Sequence, residues 1–475
     1  MCTHADSERW RLLGGAATLA LALCGLPPVA DLQTVAPVPL DVFARAAATS
    51  EREARPALNT IAANWRAGYV AMLLELAELS VAPRGSGGVS PARERLILFL
   101  EEQTGKYFGH DFDRWYRWLW SLPYAPSRDY AVFKGRLYEN VDPRMRSFFP
   151  PDVPSVIRLD EVVWGGVRVN GIPPLNYPAH LAAGAARYLK DDHIVFGIAL
   201  NGEARAYPKR ILAWHELARD TLGGVELTIV YCTLCGTVIP YESAVGGQMR
   251  RLGTSGLLYR SNKLMFDEGT HSLWSTLEGR PVIGPLVGQG LELRPHSVVT
   301  TTWGEWRRLH PNTTVLALET GHERDYSEGA AYRDYFSSDR LMFSVPTLDN
   351  RLPNKAEVLV MRLTTGADGS RGRPVAISAD FLRRRPLFQR QLAGRNIVVM
   401  TSPKGANRVF DAGGSRFVRV DADGTLLDDA GGRWTMTEEA LVLVTRRSET
   451  RLRLPAQRAF WFGWQAQYPD TVLIK

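Results

Sequence analysis

The sequence predicts an α+β protein, in which a helical N-terminal region precedes a mainly β body built from two diverged copies of one unit. Ala-, Glu- and Leu-rich segments with helical spacing occupy residues 38–150. From about residue 157, short β-rich runs recur between glycines, and few long helical periods intervene. Residues 192–316 and 355–474 then repeat one sequence pattern, which indicates an internal duplication.

Residues 1–30 have the pattern of an export signal. Two arginines precede an apolar stretch from Leu12 to Leu26, which is short for a membrane span but typical of a secretory signal. Cleavage after Ala30 is one interpretation, and lipidation of Cys24 or a short uncleaved anchor are the others. All three place the body of the chain in the periplasm or cell envelope. Contact with the membrane is expected only through the signal or the lipid.

The helical region, residues 38–150, contains Leu-rich segments separated by a Gly/Ser/Pro linker at residues 83–88. An aromatic stretch from Trp115 to Trp120 follows at helical spacing. Such spacing predicts packing between helices and not a cofactor site. Two prolines at residues 150–151 close the region.

The β body is predicted to divide into copy one, residues 157–345, and copy two, residues 350–475. The Trp-x-x-Trp segment at residues 303–306 matches the one at residues 461–464, and each is followed by a proline and a threonine at the same offsets. Positions that match in both copies are predicted to be scaffold.

Cys232 and Cys235 occur only in copy one. They fall opposite Thr401 and Lys404 of copy two, and the other two cysteines of the chain lie within the export signal. The body of the protein therefore has one Cys-x-x-Cys pair, and any chemistry of the thiols belongs to copy one alone.

Four roles are compatible with this pair. A structural disulfide would suit an oxidising compartment, although closing so short a loop stabilises the fold by only about 2 kcal/mol. Two thiolates can instead bind a soft ion, Cu(I) or zinc, with His215 and Met265 as further ligands and His271 as a third candidate.

The remaining two roles are reactive ones. Thiol–disulfide exchange usually employs a Cys-x-x-Cys at the start of a helix, whereas Val238, Ile239 and Tyr241 predict a strand after this pair. Alternatively, Cys232 acts as a nucleophile with His215 as its base. The sequence alone does not decide whether the protein is an enzyme.

Composition argues against a nucleic-acid partner. The net charge is +7 and the isoelectric point is about 9.2, yet the densest basic run is only Arg383–Arg385. No phosphate-binding P-loop or Gly-x-Gly-x-x-Gly motif is present.

Several motifs of the β body form a recognisable set. They are Gly171-Ile172-Pro173-Pro174, residues 201–208, Trp214-His215-Glu216, residues 231–237, residues 255–262, residues 264–267, residues 272–275 and residues 459–464. Together they resemble the bacterial family catalogued as domain of unknown function 3179, over about residues 160–475. The usual form in that family is Cys-Pro-Leu-Cys, so Thr233 departs from it while both sulfurs remain.

The resemblance implies an extracytoplasmic setting and no known activity. It draws attention to a set of companions of the thiols: Glu203, Arg205, Tyr259, Asn262 and Asp267, in addition to His215 and Met265.

The sequence thus predicts an exported protein that binds Cu or Zn through Cys232 and Cys235, with His215 and Met265 as partners. Two alternatives stay open: a thiol–disulfide redox protein, and a non-enzymatic binding or scaffold module with an inert Cys232–Cys235 disulfide.

Overall fold

The computed structural model describes residues 37–81, 89–123, 126–364, 372–421 and 423–475. The predicted export signal lies outside these described residues. Within them, no helix combines the length and apolar character that crossing a bilayer requires.

The N-terminal region is helical, as predicted. Its helices are α1 Leu40–Ala46, α2 Glu51–Ala63, α3 Tyr69–Leu79, α4 Pro91–Thr104, α5 Phe112–Ser121 and α6 Tyr130–Glu139. Helix α3 is buried along most of its length, and α1, α4, α5 and α6 all contact it. The aromatic stretch forms α5, where Trp115 and Trp120 pack in the interior.

A buried ion pair lies inside this helical region. Glu75 on α3 and Lys134 on α6 are almost inaccessible to solvent, and the Lys134 ammonium donates to the Glu75 carboxylate. The Tyr130 hydroxyl donates to the same carboxylate oxygen at 2.7 Å. Burial raises the pKa of Glu75, although Lys134 and Tyr130 oppose that effect.

Copy one consists mainly of short strands. They are β1 Val162–Trp164, β2 Leu175–Asn176, β3 His180–Ala182, β4 Ile194–Leu200, β5 Glu203–Pro208, β6 Leu217–Leu222, β7 Val225–Cys232, β8 Thr237–Glu242, β9 Ala244–Val245, β10 Gln248–Met249, β11 Leu252–Tyr259, β12 Asn262–Asp267, β13 Leu273–Ser275, β14 Arg280–Ile283, β15 Val299–Thr302 and β16 Thr314–Leu316. Helix α7 Lys209–His215 connects β5 to β6, and α8 Trp303–Leu309 follows β15.

Three sheets organise copy one. Their strand orders are β15-β4-β5-β16-β3, β2-β6-β7-β8 and β1-β11-β12-β13-β14, and β9 pairs with β10 as a small hairpin. A hydrophobic cluster lies between the second and third sheets, where Val230 and Ile239 pack with Leu252, Met265 and Trp274.

Copy two begins after the short helix α9 Arg333–Phe336. Its elements are β17 Glu357–Leu363, β18 Arg373–Ser378, α10 Ala379–Arg384, β19 Leu387–Leu392, β20 Arg395–Thr401, β21 Asn407–Asp411, β22 Phe417–Val420, β23 Leu426–Asp428, β24 Arg433–Met436, β25 Ala440–Leu443, β26 Thr450–Leu452, β27 Gln457–Phe460, α11 Trp461–Gln467 and β28 Val472–Ile474. The strand orders are β27-β17-β18-β28, β19-β20-β21 and β22-β23-β24-β25-β26.

One sheet of each copy has the same strand pairing. In copy one, β4 pairs antiparallel with both β15 and β5, and β5 pairs parallel with β16. In copy two, β17 pairs antiparallel with both β27 and β18, and β18 pairs parallel with β28. The α+β class, with a helical region followed by a mainly β body, is therefore confirmed.

Each copy covers a loop of the other. The backbone N–H of Phe460 in copy two donates to the carbonyl of Cys235 at 2.7 Å. In the opposite direction, the Ser402 hydroxyl of copy two donates to the Glu305 carboxylate on α8 of copy one at 2.9 Å. Correspondingly, β8 contacts β27 and β15 contacts β21, and residues 39–475 form one compact unit.

Candidate functional site

The two cysteines lie on the tight connection between β7 and β8. Cys232 is the last residue of β7 and pairs with Thr237, the first residue of β8. The Cys235 N–H donates to the Cys232 carbonyl at 3.2 Å. Gly236 has a φ of +61°, and a Cβ there would lie 3.0 Å from the ring of Phe460. A glycine is therefore required here for both conformation and space.

Alternation along β7 sets the direction of Cys232. Leu227, Ile229 and Tyr231 face one hydrophobic cluster, whereas Val230 faces the cluster on the other side of the sheet. Because side chains alternate along a strand, the sulfur of Cys232 lies on the Val230 side. The side chains of Tyr231 and Cys232 therefore lie on opposite faces of the same sheet.

Cys235 is the more enclosed of the two residues. Both thiols are free and buried, with exposed fractions of 1% for Cys232 and 0% for Cys235. The Cys235 sulfur lies 3.2 Å from the carbonyl oxygen of Ser261, in the turn between β11 and β12. On its other side lies Gly463 of α11, where a Cβ would be 3.0 Å from the Cys235 sulfur.

A buried cation lies beside the thiols. The Lys263 ammonium, on β12, donates to the carbonyl of Glu216 at 2.6 Å and to that of Tyr231 at 3.2 Å. It lies 3.6 Å from the Glu216 carboxylate. The same alternation that places Met265 in the intersheet cluster directs Lys263 to this side of β12.

Glu216 is positioned by the end of helix α7. It has a φ of 56°, a left-handed conformation that turns the chain from the helix into β6. Its carboxylate accepts a hydrogen bond from the Tyr332 hydroxyl at 3.3 Å. Lys263, Glu216 and Tyr332 therefore form a connected polar group next to Cys232.

The pKa values of the two thiols shift in opposite directions. Burial would raise the pKa of Cys232, and so would the neighbouring Glu216 carboxylate. The hydrogen bond from the Cys235 thiol, the backbone N–H of Lys263 and the Lys263 ammonium outweigh both, so the pKa is lowered. The pKa of Cys235 is raised by burial and by donation of its hydrogen bond to Cys232. Burial also lowers the pKa of Lys263. Cys232 is thus the thiol that ionises first.

A small cavity of about 50 Å³ adjoins Cys232 but not Cys235. Cys232, Glu216 and Lys263 are among its polar lining residues, and Met342 and Phe343 contribute to its apolar wall. A volume of this size has room for a few water molecules or a molecule of similar size.

The predicted partners of the thiols have other contacts. His215 is fully buried, its Nδ1–H donates to the carbonyl of Pro173 at 2.8 Å, and its Nε2 accepts from the Tyr326 hydroxyl. Burial lowers the pKa of His215 from 6.5 to about 4, so the ring is neutral. Met265 packs in the intersheet cluster near Val230.

The companions suggested by the resemblance are distributed over copy one. Asn262 is nearest, because its amide donates to the Gly463 carbonyl at 3.3 Å. Glu203 accepts from Gly223 in an exposed turn, and Arg205 pairs with Asp220 at 2.9 Å. Neither of these two contacts a cysteine.

Tyr259 and Asp267 lie at opposite ends of the β11–β12 hairpin. The Tyr259 carbonyl accepts from the Gln467 amide of α11 at 3.0 Å. The Asp267 carboxylate accepts from the N–H groups of Gly269 and Thr270, which places it at the turn after β12. His271 also lies at that turn, with its ring against Phe148.

In the part of the chain that the structure describes, the two thiols are not joined by a third and fourth side chain in a metal-binding arrangement. Across the described ranges, no group of three or more His, Cys, Asp or Glu side chains has the arrangement of a metal site. A tetrahedral zinc ion bound only by protein would need two ligands beyond the cysteines. A two-coordinate Cu(I) site would need none.

Sequence reasoning did not single out Lys263, Glu216 or Gly463. The sequence did contain a pattern that indicates Lys263. In a strand over residues 262–267, Lys263 lies on the same face as Met265, a predicted partner of the thiols. Gly463 gave no comparable signal, because its counterpart in copy one is Glu305.

The fold and the site together define a class: an α+β protein with a duplicated β body that carries one buried dithiol beside a small cavity. The chain belongs to the family described as "Protein of unknown function (DUF3179)", whose family model matches residues 169–471. The resemblance drawn from the motifs is thereby confirmed. No curated protein and no solved structure matches the chain significantly.

Proposed function

We propose that Cys232 and Cys235 form a redox-active dithiol, in which Cys232 is the attacking thiolate and Cys235 the resolving thiol. The observation that carries this proposal is the unequal placement of the two sulfurs. Cys232 borders the cavity beside the Lys263 ammonium, whereas Cys235 is enclosed between Ser261 and Gly463. A nearby cation and a hydrogen-bond donor are the features that lower a thiol pKa in reactive cysteines.

The size of the cavity favours a small oxidant. A protein disulfide needs an exposed thiol, and Cys232 is only 1% exposed. Hydrogen peroxide is comparable in size to the few water molecules that about 50 Å³ can hold. In the first step, the Cys232 thiolate attacks one peroxide oxygen, an S–O bond forms, the O–O bond breaks, and hydroxide leaves. Lys263, the cation among the residues that line the cavity, can protonate that hydroxide.

Cys235 completes the reaction. Its sulfur attacks the Cys232 sulfenic acid, the S–S bond forms and the S–O bond breaks. The leaving hydroxide takes the Cys235 proton and departs as water. In total, two thiols and one peroxide give one disulfide and two waters.

Single substitutions distinguish the oxidation of Cys232 from the formation of the disulfide. Peroxide treatment of the reduced protein should give an intramolecular disulfide, seen by mass spectrometry as the loss of two hydrogens. In Cys235→Ser, the Cys232 sulfenic acid should accumulate, seen by mass spectrometry as the gain of one oxygen atom. Cys232→Ser should give neither product. If Cys235 were modified instead of Cys232, or if peroxide left both thiols reduced, the proposal would be wrong.

An inert structural disulfide is the competing outcome. In that case the purified protein would contain a Cys232–Cys235 bond that ordinary thiol reductants open only after unfolding. Thiol titration of the folded protein before and after treatment with dithiothreitol distinguishes the two states.

Cu(I) binding is a second candidate function, and one observation favours it. The two sulfurs lie on the short β7–β8 connection, and the Lys263 ammonium lies beside Cys232. A Cu(I) ion with two thiolates carries one negative charge, which this buried cation would balance.

Metal analysis tests the second candidate directly. Protein purified under reducing conditions should contain at least about half an equivalent of copper if the site is loaded. Cys232→Ser should then lose the copper, and Cys24→Ser, which keeps both thiols of the body, should retain it. Equal copper in wild type and Cys232→Ser would exclude binding at this pair.

The location of the protein is part of the same proposal. The signal-like sequence at residues 1–30 supports export to the periplasm or cell envelope. Cell fractionation of the full chain, compared with a chain that begins at residue 31, should show that only the full chain leaves the cytoplasm.

A further inference from the structure

A second cavity, of about 230 Å³, lies between the two copies. Gly236, from the thiol loop of copy one, lines it together with Gly405, from the equivalent loop of copy two. Its volume falls below the roughly 300–1,000 Å³ of sites for drug-sized ligands. Tyr231 borders it, so it opens on the face of β7 opposite to the one that carries Cys232.

The lining of this cavity is strongly cationic. Lys209, Arg383, Lys404 and Arg458 contribute to it, against a single carboxylate, Glu357. Four cations around one small cavity produce a positive potential, unless carboxylates outside it compensate for them.

Two of the cations are already compensated. Arg458 donates to the Glu357 carboxylate at 2.6 Å, and also to Asn407 and to the Gly405 carbonyl. Arg383 pairs with Asp380 on its own helix. Among the described residues, no carboxylate forms an ion pair with the remaining two cations, Lys209 and Lys404. The cavity thus has an excess of two positive charges.

Lys209 is the partly buried member of this pair. Its ammonium lies 4.3 Å from the centroid of the Phe336 ring, which stabilises a cation without neutralising it. Burial lowers the pKa of Lys209, while the field of Glu357 opposes that effect. A buried cation of this kind is stabilised by an anionic partner.

The aromatic rings of Phe196, Tyr231 and Phe460 also line the cavity and supply an apolar wall. Two free ammonium groups beside an apolar wall are complementary to an organic anion.

We propose that this cavity binds a small organic anion, a carboxylate or phosphate head group on a short apolar body. The head group would contact Lys209 and Lys404, and the body would pack against Tyr231 and Phe460. Lys404 occupies the position in copy two that Cys235 occupies in copy one. The two equivalent loops therefore carry different chemistry, a thiol pair in one copy and a cation in the other, and this proposal is independent of the reactivity of the thiols.

Calorimetric titration of the full chain tests the proposal with three probes: inorganic phosphate, succinate and phenyl phosphate. All three should bind with one-to-one stoichiometry and weaken as ionic strength rises. Phenyl phosphate should bind more tightly than inorganic phosphate, and equal affinities would contradict the role of the apolar wall. A preference between phosphate and succinate identifies the head group.

Substitutions locate the binding. Lys404→Gln should weaken binding about tenfold, the loss expected for one charge-assisted contact. Lys106→Gln, at an exposed lysine of the helical region, should leave it unchanged. The proposal is overturned if none of the probes binds with a Kd below about 1 mM, or if Lys404→Gln and Lys106→Gln bind equally.

Discussion

Gly463 and Cys235 are in direct contact across the boundary between the two copies. A Cβ on Gly463 would lie 3.0 Å from both the Cβ and the sulfur of Cys235. The glycine belongs to copy two and the cysteine to copy one, so the enclosure of the thiol depends on both.

Gly463→Ala should therefore destabilise the fold and alter the thiol. Overpacking of a buried contact reduces the free energy of unfolding by about 1–3 kcal/mol, which exceeds the gain in helix propensity from alanine. Urea unfolding measures this loss, and the rate of alkylation of Cys235 should change with it. Gly184→Ala, whose Cβ would meet no atom within 4 Å, is the control and should shift stability by less than about 0.5 kcal/mol. Equal effects of the two substitutions would contradict the contact.

Lys263→Met should raise the pKa of Cys232. The substitution removes the ammonium that favours the thiolate, together with the donor to the Glu216 and Tyr231 carbonyls. The pH midpoint of the ultraviolet absorbance of the Cys232 thiolate should move upward, and the free energy of unfolding should fall by about 1–3 kcal/mol. Lys263→Arg, which keeps the charge, should move the midpoint less. A folded Lys263→Met protein with an unchanged midpoint would rule out this role of the lysine.

His215 should make the fold less stable in mild acid. Its pKa is lowered from 6.5 in the unfolded chain to about 4 in the fold, so below pH 6.5 the unfolded chain binds a proton that the folded protein does not. Stability contributed by the neutral ring is complete above pH 6.5 and decreases toward pH 4, by at most about 1.4 kcal/mol per pH unit. Urea unfolding at several pH values measures the slope. His215→Gln should flatten it in this window, and identical slopes for both proteins would disprove the assignment.

Lys134→Met should be among the most destabilising changes in the helical region. It leaves the buried Glu75 carboxylate without its cation, and the loss of one member of a buried pair reduces stability by about 3–5 kcal/mol. The double variant Glu75→Met with Lys134→Met should recover part of that loss, because an apolar pair replaces a buried charge. A double variant less stable than Lys134→Met would contradict this reasoning.

Local patterns predicted much of the fold. The strand that follows the cysteines is β8, and the repeated Trp-x-x-Trp segments begin α8 and α11 at equivalent places. These features depend on residues close together in the chain, where periodicity and spacing are informative.

The surroundings of the thiols depend on distant residues instead. Lys263, Gly463 and Tyr332 come from three separate segments, and no spacing in the sequence shows that they meet. His215 illustrates the reverse case. It is near Cys232 in the sequence and in the same cluster of motifs, yet its ring is engaged by Pro173 and Tyr326.

Two units that cover each other's loops form a self-complementary interface of the kind that identical subunits make about a twofold axis. In a symmetric homodimer, any substitution appears on both sides at once, so both loops would have to remain thiol loops or both would have to lose their sulfurs. A single polypeptide removes that constraint. One loop keeps Cys232 and Cys235 while its equivalent carries Thr401 and Lys404, an asymmetry that gene fusion permits and a symmetric pair of subunits does not.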